Sequence, residues 1–456
     1  MYRILFLHQN FPAQFTHLAP ALAARGMHVV ALTAKSRPVD LPGVETRRYT
    51  LSRGTSPDAH PWITDFEAKT IRAEAVLQAC RTLKAEGFHP DVIIAHPGWG
   101  ESLFVKEVWP EAKLGLYCEL FHRFEGQDTG FDPEFPVADD LSARARLRLK
   151  NATTYLHEEL ADAAISPTQW QAASYPERMR AKISVIHDGI DTDAIRADPH
   201  ASITLRQRSG HAPIRLTRQD QIVTFVARNL EPLRGFHVFM RALPELLQRN
   251  PDARVIIVGS SDGGYGKRPV VEDQGHTTWR DVFVEEVRPR IPNKDWERVH
   301  FVGRVDRKTF TSLLQVSSAH VYLTYPFVLS WSLLEAMSVG APIVASNTAP
   351  VAEVLRSDEN ALLVDFFATG ALVDAVSELL DNAEVGQALG AAARNTVVQD
   401  YDLKRVCLPK QIEWVQGLMG STTDTGPALD VFAKTEFGVA LDQTRHAQVQ
   451  AGKRSQ

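Results

Sequence analysis

The chain has 456 residues, 44% of them hydrophobic and 23% charged, the balance of a globular protein with more length than one typical core needs. A net charge of −5 gives no global reason to expect nucleic-acid binding, and Cys80, Cys118 and Cys407 lie too far apart for a CxxC or Cys/His metal pattern. They read as small apolar residues of a reducing compartment.

The first segment, MYRILFLHQNFP, lacks the long apolar core and small-residue end of a secretory signal. No apolar run approaches the roughly 18 residues that a membrane-spanning helix needs. The expectation is a cytoplasmic protein, peripheral at the inner face of a membrane at most.

In chain order, YRILFLH reads as a buried parallel strand, QFTHLAPALAARG as a helix ended by Gly26, and HVVALT as the next strand. DVIIAH is a further buried strand, followed by the turn PGWGES, and KLGLYCEL continues the sheet. The long aromatic loop FHRFEGQDTGFDPEFP then interrupts the rhythm, and ordered loops of that length are usually functional. SARARLRLKNATTYLHEELADA reads as one helix whose Arg144, Arg146, Arg148 and Lys150 spread charge around it, a solvated face or a contact for anionic lipid. ISVIHDGIDT is a strand running into a connection.

Residues 196–219 turn polar and arginine-rich with little periodicity, which suggests a linker between a domain over 1–195 and another over 220–405. The second domain restarts the pattern: QIVTFVAR, the helix GFHVFMRALPELLQRN, ARVIIVG, VHFVG, HVYLTY and APIVAS. A helix over 406–419 is expected to pack back on the first domain, and 420–456 reads as a polar tail. Strand–helix–strand repeated on both sides of a linker predicts an α/β protein of two Rossmann-like, doubly wound domains. Ligands of such sheets bind beyond the carboxyl ends of the strands, so the expected site is a central cleft faced by both domains.

Arg228 ends a strand and Arg234 stands six residues on, just before Gly235 opens a helix. Two permanent charges beside free helix-terminal amides suit a diphosphate, although loop arginines are also commonly just solvated. Glu335 lies in an otherwise apolar helix, where a carboxylate can accept two hydrogen bonds from vicinal hydroxyls. The loop before it, Phe327 to Ser332, offers amides and the Ser330 and Ser332 hydroxyls to an anion. His96 ends a buried strand before Gly98 and Gly100, a position equally open to a structural histidine and a substrate contact. GSSDGGYGKRP is glycine-rich after a strand but matches neither G-x-G-x-x-G nor the P-loop, so Lys267 and Arg268 stay open between phosphate contact and solvation.

Together, RNLEPLRGFH, ARVIIVG, VHFVGRV and LLEAMSVGAPIVASNTAPVAEVL resemble the family 4 glycosyltransferases of the GT-B fold. HPGWGESLF, GFDPEFP, SPTQWQ, ISVIHDGIDT and YLTYPFVLSWSLLEAM resemble one subgroup of it, and the resemblance runs over roughly residues 1–415. It implies that Arg228 and Arg234 (arginine replacing the family lysine) hold the donor diphosphate and aid catalysis, that Glu335 holds ribose, and that Gly303, Arg304 and Val305 lie by the nucleobase. Val328, Leu329, Ser330 and Ser332 complete the donor set, and His96 and Glu119 join the catalytic candidates. Gln9, Asn10, Gln14, Trp99, His122 and His187 are candidates for the transferred sugar or the acceptor, with Phe11 and Phe15 beside them open to a packing role alone.

Two departures stand out from the family pattern. Most members carry a glutamate where this chain has Phe327, eight positions before Glu335, and many have glycines where HQNFPAQF has none. The DTD at 191–193 follows a strand and opens a helix, so Asp191 or Thr192 reads as its N-cap, and no metal site is expected.

The resemblance therefore implies a retaining, metal-independent transferase. It would move a sugar from a nucleoside-diphosphate sugar, its co-substrate, to a hydroxyl of a glycan, lipid-linked sugar or other glycoconjugate. No cofactor and no nucleic-acid partner are expected. A nucleotide-sugar epimerase of the same fold and a non-catalytic nucleotide-sugar binding protein are the alternatives.

Overall fold

The computed structural model describes residues 1–137, 140–205, 212–266, 269 and 277–420. It divides into two compact units, one of residues 1–125, 135–189 and 404–420, the other of residues 126–134 and 190–403. Each is built on a parallel sheet.

In the first unit the strands are β1 (Arg3–Leu7), β2 (His28–Thr33), β3 (Val44–Arg48), β4 (Val92–Ala95), β5 (Lys113–Tyr117), β6 (Ala163–Ser166) and β7 (Ile183–Val185). Their order is β3-β2-β1-β4-β5-β6-β7, all parallel, with Ile4 opposite both Val29 and Val92. The run ILFL in β1 is buried on both faces, as a strand covered by helices on both sides requires. The helix Thr64–Ala85 supplies Val76, Cys80 and Leu83 to the same core, although its weakly apolar face, shared with Ala73 and Lys69, is faint in the sequence. Gly115 of β5 leaves room for the C-terminal helix Leu408–Leu418: a Cβ there would lie 2.6 Å from the Trp414 ring.

Within the stretch read as a linker, β8 (Ser202–Leu205) and β9 (Ile214–Thr217) pair as antiparallel strands, and their Ile203, Leu205 and Leu216 enter a core cluster of the second unit. That unit's parallel sheet holds β10 (Ile222–Asn229), β11 (Arg254–Ser260), β12 (Val299–Gly303), β13 (Ala319–Tyr322), β14 (Ile343–Ser346) and β15 (Leu362–Val364), in the order β12-β11-β10-β13-β14-β15. In both sheets the winding reverses beside the first strand. The switch points are β1/β4 and β10/β13, where a doubly wound sheet opens a crevice at its carboxyl edge.

Three local expectations are corrected. The helix expected from Ser142 onward breaks into Asp140–Lys150 and Ala152–His157, because the Asn151 side chain turns away to bond both the amide and the carbonyl of His122. The first helix shortens to Leu18–Ala23 behind a single turn at Ala13–Phe15, since Phe11 and Phe15 both fold inward onto Phe6. The long aromatic loop does not stay with the first domain: its residues 126–134 belong to the second unit, while the chain on either side belongs to the first.

Candidate active site

At the carboxyl edge of the second sheet, the sequence-predicted donor residues gather around the β10/β13 switch point. Arg228, exposed, is the penultimate residue of β10. A single turn, Pro232–Arg234, then leads through Gly235, left-handed at φ +66°, into the helix Phe236–Arg249. Gly235 is required twice over, because a Cβ would meet the Leu323 Cβ at 2.3 Å. Arg234 donates to the Thr324 hydroxyl at 3.0 Å, and its guanidinium lies 5.6 Å from the Phe327 ring centre. Phe327, buried, also packs against Tyr265.

Ser330 caps the helix Trp331–Val339, its hydroxyl accepting from the Ser332 amide, while the Ser330 amide donates to the Tyr322 hydroxyl. The Leu329 side chain enters the hydrophobic core, so only its backbone remains for a ligand. Val328 is half-buried. Glu335, 4% exposed, is paired with Arg307 at 2.5 Å. Gly303, the last residue of β12, and Arg304 after it are exposed, and Val305 is half-buried.

Glu231, buried, accepts from the amides of Tyr265 and Gly266. A Cβ at Gly264 would fall 2.1 Å from its carboxylate, so that glycine serves the close approach of the loop to Glu231. Lys267 and Arg268 lie outside the described residues.

At the carboxyl edge of the first sheet, three histidines repeat one arrangement. His8, His96 and His187 follow β1, β4 and β7, and each Nδ1 accepts the backbone N–H two residues on, from Asn10, Gly98 and Gly189. In a neutral ring that bond leaves the proton on Nε2. Burial pushes the His187 imidazole down to about 4, and burial, then His96 and Lys35, hold His8 well below the usual histidine range. His8 and His96 flank the β1/β4 switch point with ring centres 5.7 Å apart. His96 Nε2 stands 3.6 Å from the Glu119 carboxylate, and Trp99 and Tyr117 lie on either hand of its ring.

Gln9 spends its carbonyl on Thr33 and Ala34, Asn10 is exposed, and Gln14 is half-buried in the turn Ala13–Phe15. His122, its backbone bound by Asn151, is pushed down to about 3 by burial and then by Lys150 and Lys69. Asp191 caps a turn by accepting from the Asp193 and Ala194 amides.

The segment 126–134 brings a further group to the second unit. Asp132 Oδ2 accepts from the Tyr325 hydroxyl at 2.5 Å and lies 2.9 Å from His237 Nε2, while Oδ1 accepts from the Glu134 amide. Burial would raise the Asp132 carboxyl, but the bonds from His237 and Tyr325 outweigh it and hold it below its ordinary value. Glu134 receives both terminal nitrogens of Arg241, at 2.6 and 2.7 Å. Asp132, Glu134 and His237 could offer ligand atoms within 4.8 Å of one another, but in this arrangement Tyr325 and Arg241 engage both carboxylates.

Residues 25–195 match the model of the glycosyl transferase family 4 group, and residues 211–396 match that of the glycosyl transferases group 1. Both halves of the chain thus match glycosyltransferase models, consistent with a family 4 glycosyltransferase. Among its curated relatives is the GDP-mannose-dependent alpha-(1-6)-phosphatidylinositol monomannoside mannosyltransferase of Mycobacterium tuberculosis, 26% identical over 237 residues, covering 48% of this chain and 52% of the relative. The chain thus spans about half the length of the curated relatives it matches.

The solved structure of sucrose-phosphate synthase from Thermosynechococcus elongatus superposes with a TM-score of 0.65 at 19% identity, covering 92% of this chain and 100% of that one. HepE from Anabaena, solved with UDP-glucose, gives 0.61 at 17% identity, covering 91% and 100%. These likenesses show the GT-B fold.

Sequence reasoning passed over His8, Asp132, His237 and Tyr325. A signal existed for His8: HQN, HPG and HDG each place a histidine directly after an apolar strand and two residues before the amide it accepts. For Asp132 the signal was only the GFDPEFP stretch that holds it, since its partners lie over a hundred positions away in the chain.

Proposed function

We propose that this protein transfers a sugar, with retention of configuration and without a metal ion, from a nucleoside-diphosphate sugar to a hydroxyl acceptor. The carrying observation is the grouping of Arg228, Arg234 and the N-terminus of the helix Phe236–Arg249 at the β10/β13 switch point. The leaving diphosphate carries the charge that grows during such a transfer. Two guanidiniums and a helix N-terminus are the groups that stabilise it, a role a metal plays elsewhere. Glu335, held beside Arg307, takes the ribose hydroxyls, and Gly303 to Val305 border the base.

Phe327 cannot accept a hydrogen bond. Within the second unit, recognition of the transferred sugar therefore falls to the backbone of Val328–Ser332. Retention follows the family resemblance: the departing diphosphate itself helps deprotonate the acceptor hydroxyl on the face it leaves. The relative named for GDP-mannose and the fold neighbour solved with UDP-glucose make both bases worth testing. The acceptor is taken to be a glycan, lipid-linked sugar or other glycoconjugate.

Thermal-shift and calorimetric binding of UDP, GDP, ADP and their common sugars, with and without chelator, tests the reading. Selective binding that survives chelator and is lost in Arg234→Ala is expected. Binding abolished by chelator refutes metal independence. Phe327 also favours a second reading, a binding protein without turnover, which sugar release from the bound donor excludes.

A further inference from the structure

We infer that Asp132 is a positioning residue of the donor site, supplied to the second unit by the loop that leaves the first. This rests on the donor reading proposed above and adds a residue to it. All the donor candidates except Arg228 and those after β12 sit on two pieces of chain, the turn and helix start at 232–239 and the β13–helix connection at 323–335. Asp132 joins them. One carboxylate oxygen meets His237, three positions beyond Arg234 in the first turn of the helix, and also the hydroxyl of Tyr325, which is next to Arg234's partner Thr324 and two positions before Phe327.

The Tyr325 amide donates to the Leu233 carbonyl at 2.9 Å, so the same two pieces are stitched from the backbone side. Arg234, Thr324, Tyr325, Asp132 and His237 therefore form one closed loop of contacts around the start of the helix.

The insertion is built to stay seated. Asp132 is 3% exposed, and Phe131 packs on Tyr325, Phe366 and Phe367 with ring centres 5.0 to 5.4 Å apart. On its other side Glu134 is clamped by Arg241, which Glu286 holds in turn. A surface ornament would not be anchored at Phe131, Asp132 and Glu134 together. A carboxylate beside an anion site is also unfavourable by itself, so its place there calls for a local use. That use is to orient groups through two hydrogen-bond donors, because a bent bond to either would let Arg234 and the helix amides drift apart.

The test is calorimetric binding of nucleoside diphosphate and of the matching nucleoside monophosphate, UDP with UMP and GDP with GMP, to the full chain and to two variants. Asp132→Asn keeps the shape and removes the charge, while Tyr325→Phe removes one hydroxyl and guards against a folding failure. The expected result is a rise of about tenfold or more in diphosphate Kd for Asp132→Asn and a smaller rise for Tyr325→Phe. Monophosphate Kd should stay within about twofold, since the arginine turn acts on the outer phosphate. Glu134→Gln, which touches only the outer anchor, should bind both ligands as the wild type does.

Equal diphosphate affinity in wild type and both variants overturns the inference and leaves the donor reading standing. So does a parallel loss of monophosphate and diphosphate binding, the signature of a merely structural role. A wild type that binds no nucleotide overturns the donor reading and this inference with it.

Discussion

Gly235→Ala separates two physical costs at one position. The residue sits at φ +66° and ψ 17°, in the left-handed region, where a side chain costs about 1–2 kcal/mol. The added Cβ would also stand 2.3 Å from the Leu323 Cβ, with the Leu323 Cδ1 at 3.0 Å. Buried Leu323 cannot swing aside, so the backbone must move, an overpacking cost of typically about 1–3 kcal/mol. The sum is about 2–5 kcal/mol.

Gly303→Ala is the internal control. Its φ is +70° but nothing lies within 4 Å of the new Cβ, so only the first cost applies, about 1–2 kcal/mol. Urea unfolding of both variants at one temperature gives the comparison, and a calorimetric titration with nucleoside diphosphate gives a second readout. The shift at Gly235 carries Arg234 and the helix amides with it, so its diphosphate affinity should fall as well. If Gly235→Ala proves no less stable than Gly303→Ala, the close approach to Leu323 does not hold and the account of this turn fails.

Three other outcomes follow from the structure. Trp414→Ala should cost about 3–5 kcal/mol, because the ring fills the space over Gly115; a loss below about 1 kcal/mol in thermal or urea unfolding would falsify the packing of the last helix on β5. Phe327→Ala removes the ring 5.6 Å from the Arg234 guanidinium and should weaken diphosphate binding about two- to fivefold by calorimetry, whereas unchanged affinity would mean that the ring does not steady Arg234.

Stability should also fall with acidity. The folded protein depresses His187 and His320 to about 4 and His8 well below its usual value, so the unfolded chain takes up these protons first, from about pH 6.5 downward. Their contribution is present above that pH and is lost as pH falls toward 4, at up to about 1.4 kcal/mol per pH unit for each group. Glu101, raised by burial, acts in the opposite sense, so Glu101→Gln should steepen the acid loss. Urea midpoints that are equal at pH 7.5 and pH 5 would contradict this reading.

Fold class was legible in the chain because parallel strands buried on both faces must be unbroken apolar runs, and ILFL, VVAL, VIIA, RVIIVG and PIVAS are such runs. The local settings of Arg228, Arg234 and Glu335, a strand end, a turn and a helix, were legible for a related reason: short-range order fixes them. The helix Thr64–Ala85 was faint because alanine, cysteine and a buried lysine stem form much of its inner face.

Tertiary structure alone decided the rest. Pairing of β8 with β9 depends on a core that only the folded second unit provides. The three strand-end histidines become one class only when hydrogen bonds reveal their common tautomer. Asp132 in sequence is one acid in a long aromatic loop; its bonds exist only once the chain carries it to His237 and Tyr325, 105 and 193 positions away. Periodicity reports which face of a local element meets the core, but it carries no information about which distant loop will be buried against it, because that choice is made by packing and hydrogen-bond satisfaction in three dimensions.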